Sequence, residues 1–308
     1  MRASLCTLTA CVAVLLAVPA GAQTLGSAAA SEDITGSIGS PSAVPALARS
    51  CATPGAIGVG RVVEIDTLGG PGFGLAHFAM YDFLRPKEVV LTFDDGVRPE
   101  TTPAVLDALA RHCTQATFFP TGKHALHYPQ LLNQVAGKGH TIGSDTWSHA
   151  DLSKLTVTQA KDEIEKGFSA VRLALAAQPA PFFRFPNLAH APEMIAYLAE
   201  RNIGIFSTDI DVSDTGLRTP EQVTRAVMTK LEKPGKGIIL LHDSNSVTAR
   251  ALPSLLHALA AAGYKVVHMK AKDPAETLAE YDTVLAKQHN VLNLSRRATA
   301  AVVHTIAD

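Results

Sequence analysis

The chain lacks the features that mark nucleic-acid-binding and membrane-spanning proteins. Its 308 residues carry a formal net charge of −1 at pH 7, which provides no electrostatic footprint for nucleic acid or for an acidic membrane and disfavours nucleic-acid binding. Its apolar run near the N-terminus is too short to span a bilayer comfortably. An apolar content of 47% is nevertheless sufficient for one large core or two small ones.

The first 22 residues have the pattern of a secretory signal peptide. Arg2 supplies positive charge, residues 5–18 form the apolar stretch, and small residues at 20–22 suit a signal peptidase. We therefore expect cleavage after Ala22 and an exported protein, periplasmic or extracellular, with no stable membrane span. A membrane anchor is the weaker alternative.

Cysteine is scarce, and two of the four cysteines fall within the signal segment. Cys51 and Cys113 remain, and an even pair in an exported protein favours a disulfide that ties the N-terminal segment to the domain. Two separate buried thiols are the alternative interpretation.

The remaining chain divides into three segments. Residues 23–84 begin as a leader rich in Ala, Ser, Gly and Pro and continue as a segment that we expect to pack on the domain. Residues 85–270 alternate short apolar runs with helical patterns, which predicts an α/β fold with parallel strands and outer helices. Residues 271–308 predict a C-terminal helix or tail.

The alternation predicts eight strands and six helices. The strands lie near residues 62–65, 89–93, 116–119, 141–143, 182–185, 203–207, 237–241 and 264–268. The helices lie near residues 102–112, 129–138, 157–176, 193–200, 220–231 and 252–261. No glycine-rich phosphate-binding loop is present, which favours a barrel over a nucleotide-binding sheet.

The most informative segment is a buried strand that ends in two adjacent carboxylates, Asp94 and Asp95, before the turn residue Gly96. Successive strand residues point in opposite directions, so one acid can bind a cation while the other serves as a base. Acids at strand ends are suggestive because α/β barrels place their chemistry there. Alone, Asp-Asp-Gly is also an ordinary turn.

Four more polar clusters follow later strands, which is difficult to attribute to chance. They are Asp145-Thr146-Trp147-Ser148-His149, Arg184-Phe185-Pro186-Asn187, residues 209–214, and Leu241-His242-Asp243. A carboxylate and an imidazole four residues apart can share a helix face or converge from a tight loop to bind a metal.

With these clusters the chain resembles the polysaccharide deacetylase family, the NodB-homology domain of carbohydrate esterase family four, over about residues 85–270. Thr92-Phe93-Asp94-Asp95-Gly96 matches the family's first motif, and the Arg-x-Pro and Leu-His-Asp motifs are also present. Asp145 stands where the family has histidine, and Asn187 and Thr215 stand where aromatic residues are frequent. The resemblance implies a distorted (β/α) barrel.

The resemblance also implies a metal-dependent hydrolase and a role for each matching residue. Asp95, Asp145 and His149 would hold a divalent ion, zinc in the first place and cobalt or nickel otherwise. Asp94 would be the general base and His242 the general acid. A metal ion and an acid of near-neutral pKa suit amide hydrolysis, because they activate water and protonate the departing amine.

The supporting roles follow in the same way. Arg184 would hold Asp94 ionised and oriented, and Asp214, or with less support Asp211, would orient His242. Contacts to the substrate or to its oxyanion are expected from Asn187, Trp147 and Leu241, with a core role as the equal alternative for Trp147. The substitution at Asp145 adds a second carboxylate, which would weaken the Lewis acidity of the ion without removing a zinc ligand. We therefore expect a working but altered metal site.

Three functions compete at this point. The first is an exported N-deacetylase of acetylated amino-sugar polymers or oligomers, such as peptidoglycan, chitin-like chains or exopolysaccharide. The second is a hydrolase of the same fold that cleaves another C–N or ester bond, for example in acetylxylan. The third is a catalytically weakened carbohydrate-binding protein. The sequence does not indicate an oligomeric state.

Overall fold

The computed structural model describes Cys51 and residues 53–300, so the predicted signal peptide and most of the leader lie outside the described residues. The strands are β1 (Val59–Ile65), β2 (Gly72–Phe73), β3 (Glu88–Asp94), β4 (Thr117–Phe119), β5 (Thr141–Ile142), β6 (Phe182–Phe183), β7 (Gly204–Phe206), β8 (Ile210–Asp211), β9 (Gly237–His242) and β10 (Lys265–Ala271). The α-helices are α1 (Thr102–Arg111), α2 (Gly122–His127), α3 (Pro129–Gly137), α4 (Val157–Leu175), α5 (Pro192–Glu200), α6 (Pro220–Glu232), α7 (Ser246–Ala261) and α8 (Ala279–Ala300).

All the strand pairs are parallel and are arranged in two sheets. The larger sheet runs β1-β10-β3-β4-β5, with β9 also paired to β3 and β8 paired to β9. The smaller sheet runs β2-β7-β6. A bridge between Ser144 and Phe183 connects the end of β5 to β6, so the strands follow the order of a barrel whose hydrogen bonding is interrupted. This arrangement confirms the predicted α/β fold with parallel strands and outer helices.

Strand β3 lies in the middle of the larger sheet, where it pairs with β4, β9 and β10. Its register positions the polar residues at the strand ends. All seven of its residues are buried, as expected for a strand covered on both faces. Asp94 is the register partner of Phe119 on β4 and of His242 on β9. The carboxyl ends of three neighbouring strands therefore meet at the same edge.

The alternation along the strands separates two parts of the core. Val89, Leu91 and Phe93 pack among helix residues such as Leu252 and Leu255. The side chains on the opposite face of the strands belong to a separate cluster, which includes Val90, Phe119, Phe182, Phe206, Ile238 and Val267. Asp94 and Thr92 lie on the same face as Val90, which points their side chains into the barrel.

Helix α7 begins six residues before the position that the sequence predicted. Asn245 caps it, because its side-chain oxygen accepts a hydrogen bond from the Val247 N–H at 2.9 Å. Pro253 lies inside this helix. Helix α2 was not predicted at all, since its six residues are too few for a periodic apolar pattern.

The two chain ends of the described region are attached to the barrel. Cys51 and Cys113 form a disulfide, which joins the N-terminal segment to the residue after the C-cap of α1. The C-terminal segment is a helix, α8, that contacts α4 through Arg172 with Asp282 and through Tyr281 with Asp162. Among the described residues, no helix is both long enough and apolar enough to cross a membrane.

Candidate active site

The polar strand ends line one cavity of about 300 Å³. Its size falls at the lower end of the range for pockets that bind small ligands. It contains most of the residues singled out from the sequence, namely Asp94, Asp95, Asp145, His149, Asn187, Asp211 and His242. The motifs at 94–95, 145–149, 184–187, 211–214 and 242 thus converge, although they come from strands spread over about 150 residues.

Arg184 fixes the carboxylate of Asp94 at the inner face of the barrel. Its guanidinium is fully buried and donates to Asp94 Oδ1 at 2.8 Å and to Thr92 Oγ1 at 2.7 Å. The other nitrogens donate to the carbonyl oxygens of Phe206 and Ser207, both at 2.9 Å. A buried charge is tolerated only when paired and hydrogen-bonded, and this guanidinium meets both conditions.

The environment of Asp94 strengthens this carboxylate as a proton acceptor. Burial raises the pKa of Asp94, while the positive charges of Arg184 and His242 oppose that rise and the charge of Asp95 adds to it. A base with a raised pKa accepts a proton more readily than an ordinary carboxylate does.

Asp95, Asp145 and His149 form a group whose ligand atoms all lie within 4.8 Å of one another. Asp95 follows β3 directly with a φ of 66°, which turns its side chain away from the direction of the strand. The imidazole Nε2 of His149 lies 3.2 Å from Asp95 Oδ1. Two carboxylates and an imidazole at such separations are a suitable donor set for a divalent ion.

The loop that carries Asp145 and His149 is held by its own hydrogen bonds. Asp145 Oδ1 accepts from the Thr146 N–H at 2.5 Å, and Thr146 Oγ1 accepts from the His149 N–H at 2.8 Å. Burial, and then the negative charges of Asp95 and Asp94, raise the pKa of Asp145 well above its usual value. The motif is therefore a tight loop, not a helix face.

The structure adds two supporting residues that sequence reasoning missed. His124 on α2 donates from Nδ1 to the carbonyl oxygen of Asp95 at 2.8 Å. Glu163 on α4 accepts from the N–H of Ser148 at 2.8 Å and from its hydroxyl at 3.0 Å. Neither was detectable from the sequence, because His124 lies on the unpredicted helix α2 and Glu163 resembles any surface residue of α4.

Two observations indicate that the group fits a dication. Asp95 Oδ1 is buried and has no hydrogen-bond partner among the described residues, as expected of a ligand oxygen. Asp94 is ion-paired with Arg184, and Asp214 with His242, whereas Asp145 has no ion pair within the described part of the chain. A dication would balance the remaining charges of Asp95 and Asp145.

His242 is oriented by a buried carboxylate. Its Nδ1 donates to Asp214 Oδ1 at 2.6 Å, and its backbone N–H donates to Asp214 Oδ2 at 3.0 Å. Burial lowers the pKa of His242, but the bond to Asp214 and the charges of Asp214, Asp94 and Asp95 outweigh it and raise the pKa to about 9. The other ring nitrogen, Nε2, lies 3.8 Å from Asp95 Oδ2 and belongs to a ring that is protonated at neutral pH.

The alternative prediction, that Asp211 orients His242, is wrong. Its carboxylate Oδ1 accepts from the Ser213 N–H at 2.7 Å and makes no hydrogen bond to His242 among those of the described residues. Asp211 lies on β8 at the cavity wall, whereas Asp214 lies in a short 3-10 helix beneath the imidazole. Two acidic residues three apart in a loop cannot be distinguished by sequence spacing.

Two of the three expected substrate contacts are also corrected. Leu241 is fully buried in the outer core, because alternation along β9 turns Leu240, not Leu241, into the cavity. Trp147 packs against the outer core next to Gly122, so the core role is the one the structure supports. Asn187 does line the cavity, with a φ of 53° that departs from the surrounding 3-10 helix.

Comparison with known proteins agrees with this geometry. Residues 84–204 match the sequence profile of the family described as polysaccharide deacetylase. A chitooligosaccharide deacetylase of Sinorhizobium fredii is 32% identical over 155 residues, which cover 50% of this chain and 71% of that protein. The chain belongs to the polysaccharide deacetylase family.

Other members of the polysaccharide deacetylase family are also similar. A chitooligosaccharide deacetylase of Bradyrhizobium is 29% identical over 199 residues, covering 60% of this chain and 90% of that protein. The solved structure of a peptidoglycan deacetylase of Bdellovibrio bacteriovorus is 34% identical, with a TM-score of 0.63, and the match covers 70% of this chain and 59% of that one. The likeness is therefore to part of that larger protein.

Proposed function

We propose that this protein is a metal-dependent N-deacetylase that removes acetyl groups from the amino sugars of a polymer or oligomer. The main support is that three groups of side chains lie around one cavity. They are the buried Arg184–Asp94 pair, the Asp214–His242 pair, and the group Asp95, Asp145 and His149. Membership of the polysaccharide deacetylase family, and the chitooligosaccharide and peptidoglycan deacetylases among its similar members, support the choice of an acetylated sugar.

The three ligand residues would hold the ion, and two others would carry protons. A divalent ion in this position lowers the pKa of water and polarises a carbonyl group. Asp94, held by Arg184, takes the proton from the water as its oxygen bonds to the carbonyl carbon. His242, protonated at neutral pH, gives its proton to the sugar nitrogen as the C–N bond breaks, which leaves acetate and a free amine.

The second half of the cavity would position the sugar. Asn187 has a left-handed backbone at the cavity wall, and its N–H is a candidate donor to the developing oxyanion. Thr215 and Leu240 complete the wall on the side of His242. Thr215 leaves a small polar surface where related proteins frequently have an aromatic ring, so we expect weaker stacking on the sugar than in those relatives.

Release of acetate from defined substrates tests this proposal. Protein loaded with zinc, manganese or cobalt should release equal amounts of acetate and free amine from N-acetylglucosamine oligomers or from peptidoglycan fragments. Treatment with a chelator should abolish the release, and adding the metal back should restore it. Acetate from acetylxylan alone would support an esterase, and binding of the oligomer without acetate release would support a sugar-binding protein.

The variant Asp94→Asn separates chemistry from metal binding. It should lower kcat by about 10²–10⁴-fold because the base is lost. The dissociation constant for the metal should stay within about threefold, since Asp94 is not in the ligand group. Equal activity in the variant and the wild type would contradict the role of Asp94.

We also propose that the protein acts outside the cytoplasm. The signal-like pattern of residues 1–22 and a disulfide between Cys51 and Cys113 support export, because disulfides persist in oxidising compartments. N-terminal sequencing of the protein recovered from its native cells should begin at Gln23. Recovery of the uncleaved chain from the cytoplasm would contradict this proposal.

A further inference from the structure

Asp243 is a buried carboxylate beside the proposed active site, and the proposed mechanism does not use it. It follows His242 directly and has no exposed surface. Its Oδ2 accepts from Thr102 Oγ1 at 2.5 Å, whereas its Oδ1 has no hydrogen-bond partner within the described part of the chain. A buried carboxylate with one unpaired oxygen is costly and therefore calls for an explanation.

The segment that follows Asp95 is wrapped around this carboxylate. A Cβ atom added to Gly96 would lie 2.1 Å from Asp243 Oδ1 and 2.2 Å from Oδ2, so only glycine allows the backbone to pass there. Thr102 Oγ1, which donates to Asp243, also accepts from the Arg98 N–H at 2.8 Å. Asp243 therefore touches the loop at Gly96 and, through Thr102, is linked to Arg98.

The opposite side of the same turn is already fixed. The N–H of Asp95 donates to the Phe119 carbonyl at 3.3 Å, and its carbonyl oxygen accepts from His124. These contacts hold the backbone of Asp95 against β4 and α2. On the side towards β9, the turn is in contact with Asp243. Asp95 is a proposed metal ligand, and His242 at the end of β9 is the proposed acid. A residue that lies between them can therefore set their relative position.

We propose that Asp243 is a positioning residue that holds the Asp95–Gly96 turn, and with it the metal-binding carboxylate of Asp95, in register with His242. This inference rests on the proposed metal site. It assigns the glycine of the first motif and the last aspartate of the closing motif to one contact. Asp243 touches neither substrate nor metal and acts through Asp95.

The dissociation constant for zinc, measured in competition with a chromogenic chelator, tests this role. Asp243→Ala should weaken zinc binding about 10–100-fold, the range found when support of a ligand is removed. Asp243→Asn keeps the shape and can still accept from Thr102, so it should stay within about threefold of the wild type. Thr102→Val should weaken zinc binding. Thr114→Val should not, because it is the same change at a buried threonine whose hydroxyl has no hydrogen-bond partner within the described part of the chain.

A double-mutant cycle with Gly96→Ala separates the specific contact between Asp243 and Gly96 from a general loss of stability. Alanine at position 96 collides with the Asp243 carboxylate, and Asp243→Ala removes the obstacle. The double variant should therefore bind zinc at least about fivefold more tightly than the product of the two single effects predicts. Unchanged zinc affinity in Asp243→Ala, with only a lower melting temperature, would overturn the role, as would independent effects in the cycle. Absence of zinc binding in the wild type would instead contradict the proposed metal site.

Discussion

At the scale of single residues, surroundings give similar carboxylates different roles. Asp94 is paired with Arg184 and Asp214 with His242, which leaves Asp95 and Asp145 as the carboxylates available to a cation. The sequence predicted the residue types and, for three of these four carboxylates, the side chains that lie beside them, while the roles of all four stay predictions. It could not separate Asp211 from Asp214 or Leu240 from Leu241, because a loop conformation and the phase of a strand decide which side chain faces the cavity.

The second carboxylate of the proposed metal site should change its choice of metal. Carboxylate oxygen suits manganese, while imidazole nitrogen suits zinc, so Asp145→His should raise zinc affinity more than manganese affinity. We expect the ratio of the two dissociation constants to shift towards zinc by about tenfold or more.

Calorimetric titration with each metal at one pH measures this ratio. Asp211→His serves as the matched control, because Asp211 lines the same cavity but is outside the ligand group. An unchanged ratio in Asp145→His would show that Asp145 is not a ligand.

The bond between Asp214 and His242 should set the alkaline limit of activity. His242 has a pKa raised to about 9, so the acid stays protonated through neutral pH and is lost as the pH rises through that value. Asp214→Asn removes the negative charge that contributes most to this rise, so the alkaline limb of kcat/KM should move to lower pH by about one unit or more. A pH–rate profile in which the limb stays in place would contradict the assignment of His242 as the acid.

At the scale of helices and strands, two helices hold the loop of residues 144–149. The Gly122 and Lys123 N–H groups of α2 donate to the Thr146 and Trp147 carbonyl oxygens, and α4 packs beneath the loop. Gly167 of α4 lies beneath it, and a Cβ atom there would meet Ser144 Oγ at 2.8 Å and the Asp145 carbonyl at 2.9 Å. Glu163, one turn earlier, binds Ser148. Helix α4 therefore fixes both ends of the loop, a contact that no periodicity in the sequence reveals.

Gly167→Ala should displace this loop. We expect a destabilisation of about 1–3 kcal/mol from overpacking, together with weaker zinc binding. Gly137→Ala is the control, because a Cβ atom at Gly137 meets nothing within 4 Å. Chemical denaturation and zinc competition measure the two effects, and equal behaviour of the two variants would contradict this account of α4.

Prediction from sequence succeeded best where elements are long or buried. The apolar run of β3 and the alternation of strands and helices gave the fold class and the end of the barrel that carries the site. The two-residue strands β2 and β8 and the short helix α2 were not predicted, since their conformation depends on tertiary contacts rather than on local periodicity. The predicted start of α7 was six residues too late, because a capping asparagine earlier in the chain determines where the helix begins.

At the scale of the whole molecule, the disulfide should contribute stability without contributing to catalysis. It closes a loop between residues 62 apart in sequence, and its sulfur atoms are not among the residues of the cavity. The double variant Cys51→Ser/Cys113→Ser should lose about 2–4 kcal/mol of unfolding free energy. Its kcat at a temperature at which it remains folded should match the wild type, and a large loss of kcat would contradict a purely stabilising role.

The position of a bound metal is the most direct test of the proposed site at Asp95, Asp145 and His149. Crystals saturated with zinc or manganese and measured at the absorption edge of that metal should show one strong anomalous peak. If the ion is zinc, this peak should lie about 2.0–2.2 Å from an Asp95 oxygen, an Asp145 oxygen and a nitrogen of His149. Metal-saturated crystals with no anomalous peak at these three residues, or with the peak elsewhere, would contradict the proposed site.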